Sequence, residues 1–297
     1  MAMAEREVPL SVRVMFAHAA LQWLADAHGI DILHIKGPAL APALSEDPAD
    51  EGSIPMNRRA STDADVLVRP RQVGAFMKVL AEHGWTAMAS FESGSVFEHA
   101  AALEHTWFGH CDVHRNFPGI GLDPEVAFDV LWADRTMIEL AAWPCAVPSL
   151  TAQRVVLLLH AGRTVGGQPH DVRRAWREAS AADQERTQLL VTQLQAEIGL
   201  AAALGHLDEY ADSPEADLWR LSSQPETLRL AEWQARIKAS KSPREALRLA
   251  FKALFVNVDH LTMKLGHAPS RRDLAVAYVH RFQTALRELP RLVGRRP

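Results

Sequence analysis

The sequence predicts an α+β protein. A small mixed sheet with flanking helices is expected over about residues 1–118, followed by an all-helical part over about 119–297. Three observations carry this reading. Short apolar runs bounded by Gly, Pro and Asp alternate with helical stretches as far as Phe117. After Pro118 the pattern turns helical throughout. The balance of 48% hydrophobic to 23% charged residues is that of a globular chain with a substantial core. A length of 297 residues suits one or two domains, and the change of texture near 118 marks the boundary.

Residues 10–29, LSVRVMFAHAALQWLADAHG, place apolar side chains at helical spacing, with Gly29 as the stop. Ile30 to Ile35 then reads as a short strand halted by Lys36-Gly37-Pro38. The stretch from Ala41 to Asn57 is rich in Pro, Asp and Gly and reads as a helical turn followed by an exposed loop. Residues 64–68 form the second strand. Pro70 closes it and opens a helix from Arg71 to His83, ended by Gly84. Trp85 to Ala89 is a third strand, and AALEHTWFGHCDVHRNF contains two more around Phe108-Gly109. In the last of these, His110, Asp112 and His114 share one face, and Cys111 and Val113 share the other. Asp123-Pro124, an N-cap followed by a first-turn proline, opens a series of helices. These are expected near 124–133, 149–163, 168–180, 183–203, 214–221, 225–239, 243–265 and 270–292. No internal repeat or low-complexity tract is visible.

The bulk numbers narrow the partners. A formal net charge of −4 gives no general attraction to nucleic acid or anionic lipid. No apolar run reaches the roughly 18 residues of a membrane helix. The first residues, MAMAEREVPLSV, lack the layout of a secretory signal. Two cysteines, Cys111 and Cys145, exclude a disulfide scaffold and fit a reducing, cytoplasmic setting.

The chemistry concentrates in RRASTDADVLVRP, residues 58–70. Asp63 and Asp65 stand two apart at the front of an apolar strand, so both project from one face. Aspartate is depleted in strands, and two like charges aimed at one spot repel unless a cation separates them. Magnesium prefers carboxylate oxygens and keeps water ligands that phosphates can replace. Asp112, on a later strand, is the candidate third ligand of a two-metal site for in-line phosphoryl or nucleotidyl displacement. Lys36-Gly37, at the end of the first strand, is a turn suited to phosphate. Lys36 brings a point charge, and Arg59 brings a guanidinium able to grip a phosphate bidentately. His114 either supports Asp112, binds a phosphate, or occupies a sheet face. His105, His110, Cys111 and His114 suggest zinc, but alternation turns Cys111 away from His110 and His114. His160 reads as a core histidine, with a helix facing the nucleotide cleft as the alternative, and Asp171 as a partner of Arg173 or Arg174.

Taken together, IKGPAL, RRASTDADVLV, EHGW and CDVH resemble the uncharacterised nucleotidyltransferase family within the DNA polymerase β-like superfamily. The resemblance covers about residues 30–118; Leu159-His160 and Asp171-Val172 resemble it weakly. It implies a nucleotidyltransferase-like fold with Lys36 and Gly37 at the nucleotide turn and Arg59 just before the Asp pair. Asp63 and Asp65 match the paired metal ligands, and Asp112 and His114 match the third element. Pro38 stands where the superfamily's Gly-Ser turn has serine. The implied activity is Mg²⁺-dependent transfer of an NMP group from an NTP, with two Mg²⁺ ions, to an acceptor hydroxyl or phosphate. The acceptor is a small molecule, a peptide or protein hydroxyl, or an RNA 3′ end, the last disfavoured by the acidic balance. The competing reading is a catalytically silent module of the same fold, binding or antitoxin-like. A phosphohydrolase on the same carboxylates would ordinarily show His-Asp pairs.

Overall fold

The computed structural model describes residues 8–45, 61–93, 97–224, 228–240 and 242–293. Arg59 and most of the loop expected before Asp63 lie outside the described residues. The strands are β1 Ile32–Ile35, β2 Asp63–Val68, β3 Thr86–Ala89, β4 Ala100–His105, β5 Gly109–His114, β6 Thr136–Leu140 and β7 Trp143–Val147. The helices begin with α1 Leu10–His28, α2 Pro42–Ser45, α3 Val73–Glu82, α4 Pro124–Ala133 and α5 Leu150–Arg163. They continue with α6 Pro169–Val172, α7 Ala181–Gln193, α8 Glu197–Leu204, α9 Pro214–Ser222 and α10 Arg229–Lys238. Last come α11 Pro243–Lys252, α12 Val258–Leu265 and α13 Arg271–Val293. The fold is α+β: a small mixed sheet with flanking helices, then a helix-rich remainder.

Five strands form the main sheet in the order β1-β2-β5-β4-β3. β2 and β5 run parallel, and the other pairs run antiparallel. A parallel pair cannot close with a tight turn, so the chain crosses over through α3, β3 and β4 between them. Alternation gives the sheet two different faces. On one, Ala64, Val66, Val68, Leu103, Cys111 and Val113 are buried with Leu21 of α1 and Phe76 of α3. On the other, Leu33, Ile35 and Leu67 join a core built from α4, α5 and α8. That second face also carries Asp63, Asp65, Asp112 and His114, so it is apolar at one end and charged at the other.

Four expectations change in detail. Strand structure returns after Pro118 as the β6–β7 hairpin. Pro144 argues against a strand on sequence, and the turn at Ala141-Ala142 has positive φ at both residues (48° and 61°) without the Asn-Gly that usually signals it. The hairpin packs on α1 and β1: the Ala146 N–H donates to Gln22 Oε1 at 3.2 Å, and Trp143 Nε1 donates to Asp26 at 3.3 Å. The helix expected over 183–203 is two helices, broken at Gln195, whose φ is 54°. The helix expected over 243–265 is also two, the second capped by the Asn257 side chain accepting from His260 N–H. The expected helix over 168–180 is α6 followed by a π-turn, Arg173–Arg177.

Two features fix the helical part relative to the sheet. The α5–α8 crossing is glycine-mediated. A Cβ on Gly162 would sit 2.9 Å from the Gly199 carbonyl oxygen and 3.0 Å from Ala203 N, both backbone atoms. Glu98, just before β4, is buried and meets Arg236 at 2.7 Å, Lys252 at 2.7 Å and Arg248 at 3.0 Å, which ties α10 and α11 to the sheet.

Gly162→Ala should therefore overpack the crossing and cost about 1–3 kcal/mol, seen as a lower midpoint in thermal unfolding. Glu98→Gln leaves the buried Arg236 only the more distant Glu232, at 3.8 Å, as a carboxylate partner among the described residues and should cost about 3 kcal/mol. Denaturant unfolding checks it, and a wild-type midpoint would remove Glu98 as the tie.

Candidate active site

The parallel register of β2 on β5 sets Asp63 against His110, Asp65 against Asp112 and Leu67 against His114. Neighbouring strands are about 4.8 Å apart, so the Asp pair of β2 and the lone Asp of β5 meet on one face. Asp65, Asp112 and His114 each present a ligand atom within 4.8 Å of the others. The first strand ends in a tight turn on the same side. Lys36 has φ 62° and ψ −176°, a region that is almost exclusively glycine's, and Gly37 has φ 50°. A Cβ on Gly37 would strike the Ser61 side chain at 2.8 Å. The helix expected after this turn is a 3-10 turn, Gly37–Ala39, followed by the four-residue α2. Pro38 and Pro42 each remove a backbone donor there.

Lys36, Gly37, Asp63, Asp65, Asp112 and His114 all line one cleft of about 590 Å³. Five of the seven residues singled out on sequence are therefore carboxylate or turn residues brought to one place, with His114 beside them. Arg59, the seventh, lies outside the described residues.

Asp65 is the centre of the arrangement. It is 4% exposed. Its Oδ1 accepts from Lys36 Nζ at 2.6 Å and from His114 Nε2 at 2.8 Å. Burial pushes its pKa up, but Lys36 and His114 outweigh burial and hold the carboxyl well below its ordinary range. His114 thus supports Asp65 rather than Asp112, and with 1% exposure its Nε2 is already committed. Burial lowers the His114 pKa to about 4 against the pull of Asp65, so the ring is neutral and Nε2 carries the proton. Asp112 has the opposite environment. Burial first, then the charges of Asp65 and Asp63, raise its pKa to about 7. Asp63 is raised too, by burial and by Asp65, while Ser61 Oγ donates to its main-chain oxygen at 2.7 Å.

The donor set fits a divalent cation. Asp65 keeps Oδ2 clear of its two partners, Asp112 faces it with no hydrogen bond among the described residues, and Asp63 stands on the same face. Carboxylate oxygens are the ligands magnesium prefers. The zinc grouping is not assembled: Cys111 is buried in the opposite face with Val113, as alternation requires.

A second set of cleft residues is faint in the sequence: His160 belongs to the weak Leu159-His160 resemblance, and Arg163 and His99 have no signature. His160 and Arg163 enter from the end of α5, and His99 from the loop before β4. Arg163 Nη1 lies 3.0 Å from His99 Nε2, and its guanidinium stands 5.4 Å from the Phe117 ring centre. Arg163 sits with His160 at the last turn of an apolar helix, and no motif marks the arginine. Only the fold brings them over the sheet.

No protein-family model matches the sequence, and neither does any curated protein. Five chains of solved structures match, among them these three. A lincosamide antibiotic adenylyltransferase, LnuA, in its lincomycin-bound form, is 15% identical over 58% of this chain and 92% of its own, with a TM-score of 0.33. The antibiotic-resistance factor ANT(2'')-Ia is 14% identical over 67% of this chain and 93% of its own, with a TM-score of 0.34. An antigenic nucleotidyltransferase-like protein from Paracoccidioides brasiliensis is 17% identical over 71% of this chain and 94% of its own, with a TM-score of 0.37.

The raised pKa of Asp112 gives a signed prediction for the metal-free protein. An acid whose folded pKa lies above its unfolded value stabilises the fold below the unfolded pKa and loses that contribution as pH rises through the folded one. Between about pH 4 and pH 7, stability should fall as Asp112 ionises beside Asp65. In EDTA, Asp112→Asn should melt higher than wild type at pH 8 by about 2–4 °C, the equivalent of about 1 kcal/mol, with the gap closing towards pH 4. Added Mg²⁺ should remove the advantage. Equal melting of the two proteins at pH 8 would show that no repulsion is stored there.

Proposed function

We propose that this chain is a magnesium-dependent nucleotidyltransferase of the DNA polymerase β-like superfamily, moving an NMP group from an NTP to an acceptor hydroxyl. One observation carries the reading. The Asp63-x-Asp65 strand lies parallel to β5 with Asp65 in register with Asp112, and the Lys36-Gly37 turn opens onto the same cleft. Three carboxylates on one strand pair, with a glycine turn beside them, supply ligands for a cation and space for phosphates.

In this reading Asp63 and Asp65 hold two magnesium ions and Asp112 holds one of them. Bound magnesium would neutralise charge on the phosphates. Asp112, its basicity raised by burial and by its neighbours, takes the proton from the acceptor hydroxyl. The acceptor oxygen forms a bond to the α-phosphorus while the bond to the bridging α–β oxygen breaks. Pyrophosphate departs with the electron pair. Lys36, Gly37 and Arg59 are assigned to phosphates. Lys36 Nζ lies 2.6 Å from Asp65 Oδ1, so the same ammonium helps to keep Asp65 ionised. His114 fixes the orientation of Asp65 through its 2.8 Å hydrogen bond.

A cleft of about 590 Å³ is of the size that takes small molecules, and an acceptor of that kind or a peptide or protein hydroxyl suits it. The net charge of −4 speaks against nucleic acid. The catalytic unit is assigned to about 1–118 and the helical unit to 119–297, the helical one supplying His160 and Arg163 to the cleft. Both cysteines are buried thiols, which suits a reducing cytoplasmic setting. No helix of the described residues is long and apolar enough to cross a membrane.

Asp63→Asn tests this reading most cleanly, because Asp63 makes no ion pair among the described residues. Asp65→Asn leaves the nearly buried Lys36 without its partner and should itself cost about 3 kcal/mol. Calorimetric titration of each NTP with Mg²⁺ should show binding to wild type that Asp63→Asn or EDTA weakens at least tenfold. Nucleotide binding indifferent to both would end the metal-site assignment. No binding of any NTP would favour the silent-module reading.

A further inference from the structure

Arg163 is the last residue of α5, and it is held as few arginines are. Its Nε is fully buried with no hydrogen-bond partner. Its one hydrogen bond among the described residues is to the His99 ring at 3.0 Å. Burial pushes the His99 pKa well below its ordinary value, and His114 and Arg163 push the same way, so His99 is neutral. Arg163 itself is lowered by burial to about 10, with Asp65 and Asp112 pulling the other way from across the cleft, and is a cation at neutral pH. Arg163 is therefore a largely desolvated guanidinium with no carboxylate in contact among the described residues. Burying an ion this way costs several kcal/mol unless a counter-charge offsets it.

The surroundings pre-set its direction. Phe117 lies under the guanidinium at 5.4 Å, a cation–π distance. The His99 ring packs on the His114 ring at 5.1 Å, and the His99 carbonyl accepts from the Arg115 N–H at 2.9 Å. Gly162 locks the backbone beside Arg163 onto α8. What remains open is the side facing the cleft, which Arg163 lines together with Asp65 and Asp112. The other described cation of the cleft wall, Lys36, is already engaged by Asp65 at 2.6 Å.

We propose that Arg163 is the anion-binding residue that receives the polyphosphate of the nucleotide donor, with His99 and Phe117 holding it in place. The inference rests on the nucleotidyl-transfer reading above. A planar guanidinium grips phosphate oxygens bidentately, which an ammonium cannot do. His99 is a positioning residue: as a neutral acceptor it fixes one edge of the fork and leaves the other for the ligand.

Two probes test this, Mg²⁺–NTP and inorganic tripolyphosphate, each titrated into wild type, Arg163→Gln, Arg163→Lys and Asp63→Asn, with thermal melts run on every variant. Tripolyphosphate should bind wild type. Arg163→Gln should weaken both probes at least tenfold, and Arg163→Lys should recover only part of that loss. His99→Leu should weaken tripolyphosphate binding, and His99→Gln, which keeps an acceptor, should restore some of it. Should Arg163→Gln fail to fold, the folded Arg163→Lys variant decides: affinity equal to wild type overturns the inference. If Asp63→Asn loses Mg²⁺–NTP while Arg163→Gln binds both probes as wild type does, Arg163 is not the phosphate residue and the donor reading stands. If wild type binds neither probe, both fall together.

Discussion

The parallel pairing of β2 with β5 is the constraint on which the site depends. It sets Asp65 directly beside Asp112, and like charges side by side on neighbouring strands destabilise a sheet. The protein resolves the conflict unequally. Asp65 receives Lys36 and His114 on one oxygen and stays ionised. Asp112 receives neither and is pushed towards protonation. Lys36 reaches Asp65 from a backbone conformation that costs of order 1–3 kcal/mol in a non-glycine residue. Strain at the turn, desolvation at Asp65 and repulsion at Asp112 are thus parts of one arrangement, and a cation between the carboxylates would relieve the repulsion.

Much of this was legible in the sequence because strand periodicity is local. Alternation alone placed Asp63 with Asp65, separated His110, Asp112 and His114 from Cys111 and Val113, and made the zinc grouping unworkable. Register is not local. Nothing in residues 63–68 or 109–114 says that the two strands run parallel, or that Asp65 rather than Asp63 stands beside Asp112. His114 could be seen to share the face of Asp112, but only the pairing shows that its proton goes to Asp65. The β6–β7 hairpin was hidden for a different reason. Its turn is made by two alanines at positive φ and one strand contains proline, so local preference points away from the structure that packing on α1 selects.

Arg163 and His99 were invisible for a third reason: no spacing connects them to the Asp strand. Their position comes from tertiary packing. The Gly162–Gly199 crossing lets α5 lie close to α8, and the apolar face of α5 packs against the sheet core through Leu33, Ile35 and Leu67. The end of α5 is thereby carried over the charged end of the sheet. Glu98 plays a similar part for the loop before β4, since the cations of α10 and α11 converge on it and His99 is the next residue. The helix-rich part is therefore not a separate attachment to the sheet. It supplies the opposite wall of the cleft and the only cation there without a carboxylate in contact among the described residues.

In the proposed reaction, the unequal environments of Asp65 and Asp112 suit the two carboxyls to different roles. When two carboxyls in one site have their pKa values driven apart, the lower one serves as a permanent anion and the higher one can carry a proton. Asp65 is the anion, fixed by two donors that a proton could not replace. Asp112 has no donor in contact among the described residues, and burial first, then the charges of Asp65 and Asp63, favour its protonated form, so a cation binding between the two carboxylates would compete with that proton. Cation entry and deprotonation of Asp112 are then a single linked equilibrium. In the proposed function, the register that sets Asp65 beside Asp112 would therefore couple cation binding to the ionisation of Asp112.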